Sequence, residues 1–516
     1  MRNNYPTLYT LVAFLAITSC TPKSEIKEKE ADIPPNVIFI FPDQYRNFSL
    51  GIWSKPGYDQ YIQGKPDPVS TPALDQLAAE SVVFSRAVSN FPLCSPYRAM
   101  LQSGMYPASN GVPNNCRRDR DSSLKTEAVC MTDAFAQAGY NVSYFGKTHW
   151  LKNDPLFDEQ GTYHGTTKVP GGKYINRYDT YIPPGPDRHS IDYMVQMIKD
   201  VHFDPMVYSS DPKVVEGRKD GELFKPGRFS SEFEAEKVID YLDNTHGQRN
   251  QDKPFFMMWS LNPPHNPWNE KSTKMEFFDQ YKNNGEVDLD ALLKRGNADD
   301  SIGHYAPYYF ANVSAVDFYI GKVLDKLEDL GIAENTIIVF SSDHGEMLGS
   351  HGHQGKNVPE TEALNIPFMI KWNRKLSHRV EDLIMSVPDV MPTLLALAGL
   401  KEKIPAEVQG NNFADVLIDP DENAKKKPNG VLIMNSVFRG VFTGDHTFVV
   451  REKENKAVEI FCYDNIKDPY QLNKISFENM EELLRTSLKL QLEKLLKKTN
   501  DRWYQEGVAD DFLSYS

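Results

Sequence analysis

Apolar residues along this chain form short continuous runs, set between longer stretches in which they recur every three or four positions. Val37-Ile38-Phe39-Ile40-Phe41, introduced by Pro35-Asn36, predicts an interior strand of a parallel sheet covered on both faces, because a solvated face would impose polar alternation. Ile337-Ile338-Val339-Phe340 predicts a second such strand, and Lys253-Pro254 introduces a third over 255–260. The first two share a grammar: Asp43 follows one run and Ser341-Ser342-Asp343-His344-Gly345 follows the other. Open α/β sheets collect their chemistry at the carboxyl ends of their strands, so two aspartates far apart in sequence are expected side by side.

Helical spacing fills the intervals. Residues 71–80 open with Thr-Pro and continue as an amphipathic helix, and 131–138 form another, closed by Gly139 before a strand over 141–145. A long helix is predicted over 308–330, stopped by Gly331, and a last apolar helix over 386–400. Residues 151–200, rich in Gly, Pro, Tyr and charge with weak periodicity, read as long loops around a pocket mouth. After a polar crossing at 410–428 come strand-like runs at 430–436, 446–451 and 457–463 and a helix over 477–497, which predict a small antiparallel sheet with one packed helix. No internal repeat or heptad appears.

With 516 residues the chain is too long for one small core, and two domains are expected, 35–409 and 410–516. Its 57 basic against 71 acidic residues leave a net charge of −14, which argues against nucleic acid as a partner. An anionic small substrate stays open, since a local cluster of cations can dominate a pocket. At the N-terminus, Arg2, an apolar run over 9–17 and Thr18-Ser19 before Cys20 resemble a bacterial lipoprotein signal, and the run is too short to span a bilayer. Residues 1–20 are therefore expected to be a signal peptide, Cys20 the lipidated residue and 21–34 a charged tether. This makes the protein exported and held at the membrane only through its lipid, in the periplasm or at the cell surface. Of the remaining cysteines, Cys116 and Cys130 could pair or, like Cys462, stay buried and free.

The most specific signal is Cys94-Ser95-Pro96-Tyr97-Arg98, followed by Leu101-Gln102-Ser103-Gly104-Met105-Tyr106-Pro107. An arginine four residues after a cysteine shares its helix face and offers a bidentate fork to an oxyanion. These residues resemble the signature of the type I, formylglycine-dependent sulfatases, Cys-x-Pro-x-Arg followed by Leu-x-Ser/Thr-Gly-x-Tyr/Phe-Pro. With the leader included, the chain is similar to bacterial lipoprotein carbohydrate sulfatases. The likeness covers most of 35–400 and, more loosely, the tail. It implies an alkaline-phosphatase-like α/β sandwich with a large, mostly parallel sheet and a smaller C-terminal antiparallel-sheet subdomain. It also implies that a maturation enzyme oxidises Cys94 to formylglycine, whose hydrate attacks with one hydroxyl and expels sulfate through the other. Tyr97 stands where the family often has Ser or Ala.

By the same resemblance, Asp43, Gln44, Asp343 and His344, with the modified Cys94, hold one calcium ion, an oxygen-rich set suited to that cation. Gln44 replaces the commoner second aspartate, and it either ligates the ion or only hydrogen-bonds a neighbour. Arg98 is implied to hold the modified residue. Lys147 and His149 bind the sulfate and the hydrate, and an extended backbone would point both into one space. His265 is implied as the acid beside the leaving alcohol, with Lys356 opposite it. His351 and His353 read as loop or substrate contacts. Trp150, Trp268 and His304 are expected to touch a sugar, along with other polar and aromatic residues of 163–188 and 304–309. The implied substrate is a sulfated carbohydrate, with galactose or N-acetylhexosamine as candidates. The alternative is a phosphomonoesterase, phosphodiesterase or phosphonate hydrolase on the same fold. Nothing in the sequence argues for an oligomer.

Overall fold

Each strand predicted from a continuous apolar run lies in one nine-stranded sheet. The computed structural model describes residues 1–2, 33–117, 120–152, 179–198, 202–293, 295–453 and 458–508. The leader, Cys20 and most of the tether fall outside them. The sheet contains β1 (Asn36–Ile40), β2 (Val82–Phe84), β3 (Asn141–Lys147), β4 (Tyr193–Ile198), β5 (Met206–Ser209), β6 (Phe255–Ser260), β7 (Thr336–Phe340), β8 (Met369–Lys371) and β9 (Arg379–Glu381). Their order is β5-β4-β3-β6-β1-β7-β8-β2-β9. The central strands β4, β3, β6, β1 and β7 run parallel, while β5 and β8 are antiparallel to their neighbours.

The two-faced burial inferred from β1 is real. Val37 and Phe39 pack into one core and Ile38 and Ile40 into another, and β7 divides Ile337 and Val339 from Ile338 and Phe340 in the same way. Helices Cys94–Ser103, Met131–Gln137 and Val387–Leu397 cover the first face; Pro72–Ala79, Ser230–Leu242 and Ala306–Asp329 cover the second. This sandwich, a mostly parallel sheet between helical layers, is the expected architecture.

A second, five-stranded antiparallel sheet follows: β10 (Val431–Met434), β11 (Phe438–Phe442), β12 (His446–Glu452), β13 (Val458–Asp464) and β14 (Ile475–Ser476). Leu488, Leu492 and Leu496 of the helix Glu482–Lys498 pack into the first-face core together with Leu432, Val441 and Phe448. Residues Pro34–Ser516 accordingly form one compact unit. Within the polar crossing, Phe413, Val416 and Leu417 are buried in the same core.

Among the described residues, seven of the fourteen strands escaped the sequence reading: β2, β4, β5, β8, β9, β11 and β14. Tyr193–Ile198 lies in the stretch read as loop, yet all six residues are buried. There the polar Gln196 is satisfied internally, donating to Thr148 Oγ1 at 2.8 Å and accepting from the Ile182 N–H at 3.0 Å. Met206–Ser209 and Phe438–Phe442 were too short, or too interrupted by Arg and Gly, to stand out. Residues 153–178 of the presumed loops lie outside the described residues. Cys116, Cys130 and Cys462 are buried free thiols, so the possible Cys116–Cys130 pairing is not formed.

Candidate active site

The parallel register sets the site. Ile40 pairs with Trp259 on one side and Phe340 on the other, and Gly146 pairs with Ser260, so β3, β6, β1 and β7 end along one edge. Asp43 is tied into that edge by its N–H to Leu261 O (2.9 Å), and the Gln44 N–H donates to Asp343 Oδ1 (2.9 Å). The two aspartates are thus neighbours, as the shared grammar of their strands implied. Two close backbone approaches require glycine: a Cβ on Gly146 would lie 2.0 Å from Ser260 O, and one on Gly345 would lie 1.9 Å from Glu362 O.

Cys94 opens the helix Cys94–Ser103, all of whose residues are buried, and Arg98 follows one turn later. Arg98 Nη2 donates to Asp43 Oδ2 (3.0 Å) and Asp343 Oδ2 (3.1 Å), while Nη1 donates to Lys147 O (2.7 Å) and Ser260 Oγ (2.6 Å). One guanidinium therefore binds the helix to the ends of four strands. These hydrogen bonds go to the aspartates and strand ends, where the resemblance had implied a hold on the residue at 94. Burial disfavours this cation, but Asp343 and Asp43 outweigh that cost and keep it firmly charged. At the helix start the Ser95 N–H is taken by Asn115 Oδ1 at 3.1 Å.

Four potential ligand atoms converge here: those of Asp43, Cys94, Asp343 and His344 all lie within 4.8 Å of one another and are buried. His344 Nδ1 faces Gly345 O at 2.9 Å, and a carbonyl only accepts, so Nδ1 carries the proton. Burial lowers the His344 pKa, so the ring is neutral and its Nε2 lone pair faces the cluster, 3.3 Å from Cys94 Sγ and 3.6 Å from Asp343 Oδ1. Burial would raise the Asp43 carboxyl, but the neighbouring cations Lys147 and Arg98 hold it well below the usual carboxylate range. A ready lone pair and two carboxylates on one focus are a donor set that fits a divalent cation. Gln44 is differently placed: its side-chain Oε1 accepts from Lys356 Nζ, and its Nε2 donates to Glu346 Oε2.

Cations ring the cluster. Lys147 Nζ lies 2.8 Å from Asp43 Oδ2, and Lys356 Nζ lies 3.1 Å from His265 Nε2, which is itself 4.0 Å from Asp43 Oδ1. His265 Nδ1 donates to Asn266 O at 2.8 Å, which fixes its tautomer. His149 is buried, but the expected extended alternation with Lys147 fails: β3 ends at Lys147 and His149 has a left-handed backbone, φ 53°.

Other expectations are corrected. Trp150 is only 1 % exposed and packs edge-on against Tyr144, with its Nε1 donating to Asp187 O at 3.4 Å, so it is a core residue and not a sugar platform. Trp268 is half-buried, stacked on Tyr305 with ring centroids 4.4 Å apart, and His304 is exposed at the edge of Tyr305. In the presumed sugar-contact stretch, Tyr181 and Arg188 are buried, and Arg188 pairs with Asp220 at 2.8 Å. His351 and His353 are exposed and belong to neither ligand cluster found among the described residues. The other cluster joins His189 to the start of the helix Met131–Gln137: Asp133 accepts from the Cys130 N–H at 2.9 Å and lies 3.3 Å from His189 Nδ1.

Two residues were missed. Glu346, fully buried, stands behind Gln44; Asn262, 3 % exposed beside the His265 loop, has a side-chain amide with no hydrogen bond among the described residues. Glu346 follows the Asp-His-Gly triplet directly, and its placement in a buried turn was the available signal.

Comparison with known proteins agrees with this geometry. The family model described as Sulfatase matches residues 35–400, and one described as N-sulphoglucosamine sulphohydrolase, C-terminal, matches 349–498. The chain is 35 % identical to an endo-4-O-sulfatase of Bacteroides thetaiotaomicron, over 98 % of this chain and 99 % of that one. It is 28 % identical to an ulvan-active sulfatase of Formosa agariphila, over 96 % and 87 %. A solved 4S-sulfatase structure, described under the metabolism of multiple glycosaminoglycans by B. thetaiotaomicron, superposes with a TM-score of 0.85 at 36 % identity, covering 93 % of this chain and all of that one.

Proposed function

Because this chain belongs to the sulfatase family of sulfuric-ester hydrolases, we propose that it removes sulfate from a carbohydrate, at the 4-O position of a galactose or N-acetylhexosamine residue within a glycan chain. The observation that carries the reading is the meeting of Cys94 with Asp43, Asp343 and His344 inside a ring of Arg98, Lys147, His265 and Lys356. Near-complete coverage of an endo-4-O-sulfatase at 35 % identity supports the position and the internal mode of attack.

Asp43, Asp343 and His344 would hold one calcium ion, with Gln44 as a further oxygen donor beside it. When bound, the ion would acidify the attacking oxygen and polarise the ester. Formylglycine at position 94, made by a dedicated maturation enzyme, would supply an oxygen nucleophile with its own release path. Arg98 bridges both aspartates and holds them in register. Lys147 neutralises a sulfate oxygen. The Lys356–His265 pair delivers a proton to the leaving sugar oxygen, which carries most of the charge as the S–O bond breaks. His149 accepts a proton during sulfate release. His304 and Trp268, at the rim, offer contacts to the sugar.

For location, we propose a lipoprotein signal over 1–20 with lipidation at Cys20, supported by Arg2, the apolar run and Thr18-Ser19. Among the described residues no helix is long and apolar enough to cross a membrane.

The test is a panel of defined oligosaccharides carrying sulfate at single known positions, internal or terminal, with sulfate release as the readout. Preferred release from internal 4-O-sulfated residues is expected. A matured, calcium-loaded preparation inert toward every sulfate ester sinks the proposal.

A further inference from the structure

Four donors converge on one buried carboxylate that the mechanism leaves unused. Glu346 Oε1 accepts from the N–H of Gly355 (2.7 Å), the N–H of Leu348 (3.1 Å) and the Tyr305 hydroxyl (3.3 Å). Its Oε2 accepts from Gln44 Nε2. On the opposite side of the same amide, Gln44 Oε1 accepts from Lys356 Nζ.

The two ends of a side-chain amide have the same shape, so chemistry must decide which way it faces. An ammonium only donates, and a carboxylate already surrounded by donors only accepts. Set between Glu346 and Lys356, the Gln44 amide has a single orientation that satisfies both neighbours. Its backbone is fixed independently: its N–H donates to Asp343 Oδ1 at 2.9 Å, its carbonyl accepts from Tyr309 Oη at 2.8 Å, and its φ is 65°. Arg46, two residues on, donates to the Glu346 carbonyl and to Asp67.

We propose that Glu346 is a positioning residue: it orients the Gln44 amide so that its oxygen faces Lys356 and the cation cluster. The same carboxylate pins the Gly355 turn that carries Lys356. This accounts for glutamine at position 44. A glutamate there, equal in length, would set two carboxylates against each other in a buried site, where like charges are strongly unfavourable. The pairing itself stands on geometry; only its effect on turnover rests on the proposed sulfatase reading.

The experiment is a double-mutant cycle in the full chain with Gln44→Glu, Glu346→Gln and the combined variant. Readouts are thermal unfolding without calcium, calcium affinity by calorimetry, and kcat/KM of matured enzyme. Gln44→Glu keeps the side-chain length and creates the carboxylate clash. Glu346→Gln turns a new amide N–H2 toward that of Gln44, flipping it and placing a donor against Lys356. The double variant restores complementarity, since the carboxylate introduced at position 44 accepts from the new amide on one side and from Lys356 on the other. Each single change is expected to lower the melting temperature and cost about tenfold or more in kcat/KM, with the double variant recovering most of both. If a single variant does not fold, a folded double variant is the same recovery. A double variant no better than the worse single in the calcium-free melt overturns the proposal. Recovery in that melt with a wild type inert toward sulfate esters would instead reject the sulfatase reading alone.

Discussion

Lys356 Nζ stands 3.1 Å from His265 Nε2, with the other ring nitrogen of His265 committed to Asn266 O at 2.8 Å. The ammonium thus faces the histidine's lone pair, and one proton lies between two nitrogens at the rim of the cluster. Replacing His265 by Ala breaks this relay. The loss in kcat should be large, about a hundredfold or more, for a sugar sulfate, whose leaving alkoxide needs the proton. It should be much smaller for an activated aryl sulfate. Equal losses across a series of leaving groups would count against the acid role.

Replacing Cys94 by Ala should abolish turnover and leave the fold intact, because the side chain removed is small and its helix is held through Arg98. Circular dichroism and sulfate release measured on one preparation separate the two effects. Intact-mass analysis of active wild type should show a chain about 18 Da lighter than the same processed chain carrying the thiol, the difference between a thiol and an aldehyde at that carbon. Full activity with the thiol unchanged contradicts the covalent reading.

Chelation should remove activity and also stability. Without a bound ion, Asp43 and Asp343 lean on Arg98 and Lys147 among the described residues. A bound ion at a hundred times its dissociation constant adds about 2.7 kcal/mol to folding. Melting curves with chelator, calcium and magnesium should therefore rank calcium highest. Identical curves in all three rule out the cluster as a cation site.

Glu234 supplies a pH test away from the chemistry. Its carboxyl is fully buried against Trp259, whose Nε1 donates to Oε2 at 2.8 Å, and burial raises its pKa to about 8. A folded pKa above the unfolded value means that no penalty exists below about pH 4.5 and that stability is lost as pH climbs toward 8. Glu234→Gln keeps the acceptor for Trp259 and cannot ionise. The variant should gain on wild type steadily between pH 5 and 8, by a few kcal/mol at the upper end in denaturant titrations. Parallel pH profiles for the two proteins would refute this account.

The chain's own pattern determined the continuous apolar strands, the aspartate closing each of two of them, and the Cys94–Arg98 spacing that a helix turns into one face. Those features are local, and a local rule suffices to read them. Polar residues inside apolar strands hid β4, since Gln196 looks like loop until its partners Thr148 and Ile182 are known. Trp150 and Trp268 are the same residue type beside predicted catalytic histidines, yet one is core and the other is half-buried. Only packing of distant segments could separate them. The orientation of Gln44 belongs to the same class, because Glu346 and Lys356 reach it from some three hundred residues away, across a parallel register that no window of sequence contains.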